Sequence, residues 1–173
     1  MIYIRKIKES SWFMGQAPLD SDSISDLGTS NHELSVWQVP NDKSNLDDII
    51  LALALTRNDT NGIFVVFIKK ENIKEEYDWD IIIKDQDGDT AFDEMKNEHK
   101  NFLLSSMWEQ GYFAEHIFNL IQDESNYIYY DEPKLISLLS SAIDEGRISI
   151  DELKSHNKKK WIKAYKKYKG LLE

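Results

Sequence analysis

The segment from residue 34 to residue 84 most constrains how this chain can fold. It contains, in order, the runs LSVWQV, LDDIILALALTR, GIFVVFI and DIIIK. Three of these runs are short and rich in β-branched and aromatic residues, whereas the second has the length of a helix. The pattern therefore predicts a strand, a helix and two further strands that form a core.

The predicted helix has recognisable ends. Asn45 is a candidate N-cap residue, and Asp47 and Asp48 fall in the first turn, where carboxylates interact favourably with the positive end of the helix dipole. Residues 49–55 are apolar on every side, so we expect protein to surround this helix. Turn-forming residues at 58–62 end it, and the run GIFVVFI that follows is apolar on both faces, as is typical of a central strand.

The remainder of the chain predicts one more strand and several helices. Residues 2–7 alternate as an edge strand does, with charges that discourage pairing between molecules. Beyond residue 90 the spacing becomes helical, and the apolar residues that recur at this spacing are Phe92, Met95, Phe102 and Leu103. Pro133 and Gly146 bracket another helix, and Ser149 with Glu152 forms a capping box.

This order predicts an α+β fold with a small mixed sheet and one buried helix in the N-terminal half and a helical C-terminal half. We expect a β-rich part at 1–90, built on strand-helix-strand-strand, and a helical part at 91–173, packed together as a single domain. A length of 173 residues is sufficient to bury a core for one domain.

Composition limits the classes of function and the location. The chain has no cysteine, which excludes disulfides, thiolate metal sites and a cysteine nucleophile. The N-terminus lacks the features of a signal peptide, and no window approaches the roughly 20 apolar residues of a membrane span. We therefore expect a soluble, cytoplasmic protein. Lysine outnumbers arginine by 18 to 3, and isoleucine and asparagine are abundant, which points to an AT-rich bacterial or phage genome.

Charge is distributed unevenly along the chain. Residues 154–173 contain eight lysines and one acid, a net charge of +7, whereas the other 153 residues contain 13 basic and 30 acidic groups, a net charge of −17. The chain is therefore an acidic body with a basic tail.

The basic tail predicts an amphipathic helix. Trp161, Tyr165, Tyr168 and Leu172 form one apolar stripe at helical spacing. Lysines occupy the other faces, namely Lys159, Lys160, Lys163, Lys166, Lys167 and Lys169. Three interpretations remain open: the stripe packs on the protein's own core, the helix binds an anionic partner such as nucleic acid, or it binds a membrane surface. The acidic body disfavours the second and third, because it should repel polyanions.

The acidic body favours a basic protein partner, because charge complementarity speeds encounter and selects partners. Aromatic residues are common at the centres of such interfaces. The best candidates are the consecutive residues Tyr127, Ile128, Tyr129 and Tyr130, which adjoin Asp131 and Glu132. Trp12, Trp37, Trp79 and Trp108 are further candidates, each with core packing as its alternative.

Carboxylates at 85–89 raise the question of a metal site. Asp85, Asp87 and Asp89 resemble the start of a calcium-binding loop. The sixth position of that loop is Thr90 instead of glycine, and the twelfth is Lys96 instead of glutamate. A turn between a strand and a helix explains the same residues.

A catalytic function is the alternative from a different class. A metal-dependent hydrolase or nuclease would draw its ligands from Asp80, Asp85, Asp87 and Asp89, together with Glu98 and His99. The acid that such nucleases place two residues before the lysine is Ile82 in this chain, ahead of Lys84. Convergence of the acids in a cleft would favour an enzyme, whereas scattering over the surface would favour a binding protein.

The sequence thus predicts a cofactor-free, non-enzymatic acidic protein that binds a macromolecular partner. Small acidic proteins without catalytic motifs commonly act as immunity proteins, antitoxins or accessory subunits of defence systems. A basic protein is the favoured partner, and nucleic acid is the less favoured one. The residues predicted to contact the partner are Tyr127, Tyr129, Tyr130, Asp131, Glu132, Lys159, Lys160, Trp161, Lys163, Lys166 and Lys167.

Overall fold

One antiparallel sheet is the centre of the computed structural model, which describes residues 1–13 and 21–171. Within these residues it has six strands, β1 (Ile2–Ile7), β2 (Glu33–Val39), β3 (Ile63–Ile68), β4 (Ile82–Asp85), β5 (His99–Leu103) and β6 (Tyr127–Tyr130). Their spatial order is β4-β5-β2-β1-β3-β6. Every pairing is antiparallel.

Helices cover both sides of this sheet. They are α1 (Glu9–Trp12), α2 (Ser21–Asp26), α3 (Leu46–Leu55), α4 (Lys70–Tyr77), α5 (Met107–Leu120), α6 (Glu132–Asp144), α7 (Ile150–Ser155) and α8 (Lys159–Tyr168), with short 3₁₀ helices at Asp93–Glu98 and Glu124–Asn126. Helices α3, α6, α7 and α8 pack on one side, the α3 side. Helices α1, α4 and α5 pack on the other, the α5 side, with α2 next to α1 and α5.

Alternation along the strands produces two separate cores. In β1, Ile2 and Ile4 join the core on the α3 side, whereas Tyr3 and Ile7 join the core on the α5 side. Successive strand residues point to opposite faces, so a sheet covered on both faces needs apolar residues at both sets of positions. The structure confirms the predicted α+β class.

The prediction that residues 2–7 form an edge strand was wrong. Strand β1 lies in the middle of the sheet, between β2 and β3. The charge of Arg5 suggested an edge, but its guanidinium donates hydrogen bonds to the backbone carbonyls of Ser35 (2.9 Å) and Asp26 (3.1 Å). A partly buried charge with such acceptors is compatible with a central strand.

The C-terminal half contributes strands as well as helices. The helical spacing assigned to Phe102 and Leu103 was misleading, because both lie in β5, where Phe102 is opposite Leu34 of β2. Residues 127–130 form β6 on the opposite edge of the sheet. Residues 1–90 and 91–173 therefore share one sheet, and that sheet is antiparallel throughout where the sequence suggested a mixed one.

Several local helix signals were read correctly, although the Asn45 side chain makes no capping hydrogen bond. Helix α3 begins after Asn45 and is buried from 49 to 55. Helix α6 has Pro133 in its first turn, and Gly146 follows its end with a φ of 74°. The predicted capping box of Ser149 and Glu152 is present at the start of α7. No helix in the described part of the chain is long and apolar enough to cross a membrane.

Helix α8 is docked on the α3 side. Trp161 is 0% exposed, and its Nε1–H donates to the carbonyl of Arg57 at 3.1 Å. Tyr165 is also buried, and Lys158, just before the helix, donates to the carbonyl of Thr56 at 3.1 Å. The first of the three interpretations of the apolar stripe thus describes Trp161 and Tyr165, whereas Tyr168 is 55% exposed. Leu172, the last residue of the stripe, lies outside the described residues.

Candidate functional site

The five tryptophans differ sharply in exposure. Trp12, Trp37 and Trp161 are buried, and Trp79 is partly buried. Trp108 is 77% exposed. A large exposed aromatic side chain is unusual for a residue type that is mostly buried in folded proteins. Trp108 is therefore the tryptophan that remains available to a partner.

Trp108 is held in the first turn of α5 by a capping box. The Ser106 hydroxyl accepts the backbone N–H of Glu109 at 3.2 Å, and the Glu109 carboxylate accepts the backbone N–H of Ser106 at 3.0 Å. These bonds satisfy amide groups that a helix start leaves unpaired. Because Phe113 faces the core and is fully buried, Trp108 lies on the side of the helix that faces solvent.

An exposed stripe follows from the period of α5. Trp108, Tyr112, Glu115 and Asn119 recur at three- and four-residue spacing and are all exposed. Met107, next to Trp108, is 88% exposed. Residues at this spacing lie on one helix face, so the outer side of α5 presents two aromatic rings followed by a carboxylate and an amide.

Helix α4 extends this surface. Glu76 of α4 accepts hydrogen bonds from His116 Nδ1 at 2.8 Å and from Asn119 Nδ2 at 3.1 Å, both on α5. The two helices are thereby joined, and the rings of Tyr77 and Tyr112 stack with centroids 5.0 Å apart. We call the surface formed by Tyr77, Met107, Trp108 and Tyr112 the α5 patch.

The surroundings of the α5 patch are acidic. Residues 70–80 and 107–120 together contain seven carboxylates and two lysines, a net charge of −5 with His116 neutral. Both lysines, Lys70 and Lys74, pair with Asp80. In residues 1–13 and 21–171, no ion pair involves Glu75, Asp78 or Glu115.

Burial and nearby carboxylates both affect the pKa of Tyr77. Burial raises the pKa of the Tyr77 hydroxyl, and the nearby carboxylates of Glu76 and Glu115 raise it further. Each acts in the same direction because each disfavours a phenolate. The uncompensated charge beside the patch would favour a cationic group of a partner.

The aromatic residues predicted from β6 have three different environments. Tyr129 is 51% exposed, and its ring packs against Phe64 with centroids 4.5 Å apart. Tyr127 is partly buried. Tyr130 is buried and donates its hydroxyl hydrogen to Asp47. Of these three tyrosines, Tyr129 offers the most surface to a partner.

The two acids that follow β6 have roles in folding. Asp131 is the N-cap of α6 and accepts the backbone N–H of Lys134 at 2.8 Å. Glu132 accepts the hydroxyl hydrogen of Thr60. Both side chains lie at the surface, but their oxygens already have donors within the protein.

The residues of α8 that were predicted to contact a partner are partly buried in the core and partly exposed. Trp161 is inside the protein, as described above. The exposed lysines are Lys159, Lys160, Lys163, Lys166 and Lys167. Within the described ranges none of these five belongs to an ion pair, whereas the neighbouring Lys169 binds Asp144 at 2.6 Å. Helix α8 therefore holds Trp161 and Tyr165 inward and displays positive charge, whereas Tyr168 is 55% exposed.

The acids proposed for a metal site do not form a metal-binding group, although Asp87 and Asp89 line one cleft together with His99. Asp85 pairs with Lys100 at 2.9 Å, and Asp89 lies 3.6 Å from His156. Asp80 pairs with lysines of α4, as noted above. Across residues 1–13 and 21–171, no three histidine, aspartate or glutamate side chains are placed to hold a metal ion together. Asp87 and Glu98, the remaining predicted ligands, belong to no such group among these residues either.

His99 has partners that the sequence did not suggest. Its Nε2 lies 2.7 Å from the Ser35 hydroxyl, and its Nδ1 lies 2.9 Å from the Gln86 carbonyl. Ser35 is 64 residues away in the chain, so no local pattern links the two. The sequence likewise named Trp108 only as one of four tryptophans. It missed Tyr112, which lies four residues later on the same helix face.

Comparison with known proteins does not assign the chain to a family: no family model, no curated protein and no solved structure matches it. The function is therefore argued from the surface and the cavities of this structure.

Proposed function

We propose that this protein binds a basic protein partner through the α5 patch. The observation that carries the proposal is the 77% exposure of Trp108 in a region of net negative charge, whose two lysines both pair with Asp80. Tryptophan is among the residue types that contribute most to binding when they become buried at the centre of an interface. Burial of such an exposed apolar side chain by a partner makes the binding free energy more favourable.

The charge around the patch indicates the kind of partner. Glu75, Asp78 and Glu115 are available to lysines and arginines of another protein, because no ion pair among the described residues engages them. Complementary charges of this kind mainly increase the association rate, and salt screens them. We extend the proposal, on the basis of the sequence, to a role as a cytoplasmic immunity protein, an antitoxin or a subunit of a defence system.

A pair of single substitutions tests the proposal. Trp108→Ala removes the exposed indole, and Tyr168→Ala removes another exposed aromatic ring (55% exposed) from α8, on the other side of the sheet. Wild-type and variant proteins are immobilised and proteins captured from the source cell are quantified by mass spectrometry. The captured protein is then purified, and its affinity is measured by calorimetry at two salt concentrations.

We expect Trp108→Ala to weaken the affinity about 30-fold, the loss typical of a central interface residue. Tyr168→Ala should leave it within about twofold, and added salt should weaken the wild-type complex. An unchanged set of captured proteins with Trp108→Ala, or a captured partner with an acidic contact surface, would contradict the proposal.

The exposed lysines of α8 favour a second, separate interaction with an anionic partner. Lys163, Lys166 and Lys167 are displayed without partners in the described part of the chain. Lysines of this kind bind nucleic acid through phosphate neutralisation, which depends strongly on salt. Retardation of a labelled oligonucleotide at low salt, abolished by glutamine at all three positions, would support this interaction; no retardation of the wild type would refute it.

A further inference from the structure

A cleft of about 310 Å³ lies on the α3 side of the sheet, near the strands β2 and β5. Ser35 of β2 and His99 of β5 line it, together with Trp37 and Thr56. Ser35 is directly opposite Asn101, and Trp37 is directly opposite His99, so Ser35 and His99 are diagonal neighbours on one face of adjacent strands. Diagonal neighbours are within reach of a ring side chain.

The hydrogen bonds of His99 define which nitrogen carries a proton. A backbone carbonyl only accepts hydrogen bonds, so the 2.9 Å contact to Gln86 requires hydrogen on Nδ1 of His99. In the neutral imidazole, Nε2 is then an acceptor. The hydroxyl of Ser35, 2.7 Å away, donates to it. This is the polarity of a serine nucleophile hydrogen-bonded to a histidine base whose other nitrogen is oriented by a third group.

The surroundings of His99 favour its neutral, basic form. Burial lowers the pKa of His99, and the positive charges of Lys100 and Arg5 lower it further, whereas the bond to Gln86 raises it. The nearby carboxylates in the cleft wall are Asp87 and Asp89.

The cleft wall is closely packed, and the Trp37 ring in it carries a buried donor. The ring of Trp37 stands edge-on to the imidazole with centroids 5.3 Å apart. A Cβ atom on Gly88 would lie 2.7 Å from the Trp37 ring, so only glycine lets this loop approach. The Trp37 Nε1–H is buried and has no acceptor among the described residues. A buried donor is usually satisfied, so the Trp37 Nε1–H is an exception in the wall of this cleft.

We propose that Ser35 and His99 form a nucleophile–base pair that accepts an acyl group from small neutral or cationic esters. Ser35 Oγ attacks the ester carbonyl carbon while His99 Nε2 takes the hydroxyl proton. The bond between the carbonyl carbon and the alcohol oxygen breaks, and the alcohol leaves with that proton. Water then attacks the acyl-serine with His99 again as base, which releases the carboxylic acid and restores Ser35.

The charge and size of the cleft define this substrate class. Asp87 and Asp89 in its wall would repel phosphate and carboxylate groups. A volume of about 310 Å³ is at the lower end of the range for small-molecule sites. The site is on the opposite side of the sheet from the α5 patch, so it goes beyond the proposed binding function and does not depend on it.

The test uses the intact protein and a fluorophosphonate probe, which reacts covalently with activated serines. We expect labelling of wild-type protein at Ser35, located by peptide mass spectrometry, and hydrolysis of p-nitrophenyl acetate. Ser35→Ala should abolish both. His99→Gln should slow labelling about 100-fold, the low end of a general base contribution. Ser125→Ala, which removes an exposed serine hydroxyl away from the cleft, should leave both unchanged.

A cysteine variant separates reactivity from a folding defect. The chain has no cysteine, so Ser35→Cys introduces a single thiol whose alkylation rate by iodoacetamide can be followed directly. We expect this thiol to react at least tenfold faster than that of Ser35→Cys combined with His99→Gln, and faster than that of Ser125→Cys, an exposed control. Equal alkylation rates, or labelling of Ser35 no faster than that of other serines in the folded wild type, would overturn the proposal.

Discussion

Replacement of Trp161 by alanine is the most informative test of the fold, because it asks what holds the basic helix α8 in place. Trp161 is 0% exposed and joins the core that includes α3 and α6. Truncation of a fully buried tryptophan typically costs about 3–5 kcal/mol, which includes the cavity that remains. The Trp161→Ala variant also leaves the carbonyl of Arg57 without its 3.1 Å donor.

We therefore expect a loss of about 4 kcal/mol in the free energy of unfolding. For a chain of this length each kcal/mol lowers the melting temperature by about 2–4 °C, so the midpoint should fall by about 8–16 °C. Urea unfolding followed by far-UV circular dichroism measures the change. Trp161→Phe, which fills most of the space without the donor, should cost less than Trp161→Ala.

Trp108→Ala is the matched control, because it removes the same side chain from an exposed position. Surface substitutions usually change stability by less than about 0.5 kcal/mol. A loss below about 1 kcal/mol for Trp161→Ala, close to that for Trp108→Ala, would refute the conclusion that Trp161 anchors α8 in the core.

Three further substitutions test single contacts. Arg147 donates to both carboxylate oxygens of Asp48 at 3.0 and 2.9 Å. Lysine cannot form this bidentate pair, so Arg147→Lys should lower the free energy of unfolding by about 1–2 kcal/mol. An unchanged midpoint in urea unfolding would contradict this expectation. Burial lowers the pKa of His99 below its ordinary 6.5, so the unfolded chain binds that proton more readily and stability should fall as the pH drops below about 6.5. His99→Gln should lose this part of the pH dependence, and an identical pH profile would refute the assignment. Gly88→Ala places a Cβ 2.7 Å from the Trp37 ring. The variant should lower the free energy of unfolding by about 1–3 kcal/mol and alter the near-UV circular dichroism. An unchanged spectrum would show that the loop accepts the methyl group without strain.

Local sequence signals sufficed for several helices and for the fold class. The apolar segment after Asn45, the proline and glycine around α6, and the capping box at Ser149 each act within a few residues. Such signals reflect backbone conformation and nearby hydrogen bonds, which depend little on the remainder of the chain. The two-sided apolar run of β3 likewise indicated a strand buried on both faces.

The sequence by itself thus determined an α+β protein with a buried helix, an acidic body and an amphipathic basic helix. Only the tertiary structure decided that β1 is central, that residues 99–103 form a strand, that Trp108 faces solvent while Trp161 is buried, and that Ser35 meets His99. Each of these depends on pairing or packing between residues far apart in the chain. A short apolar run has the same local pattern whether it forms a strand or part of a helix. The residues that it contacts in the folded protein decide which of the two it forms.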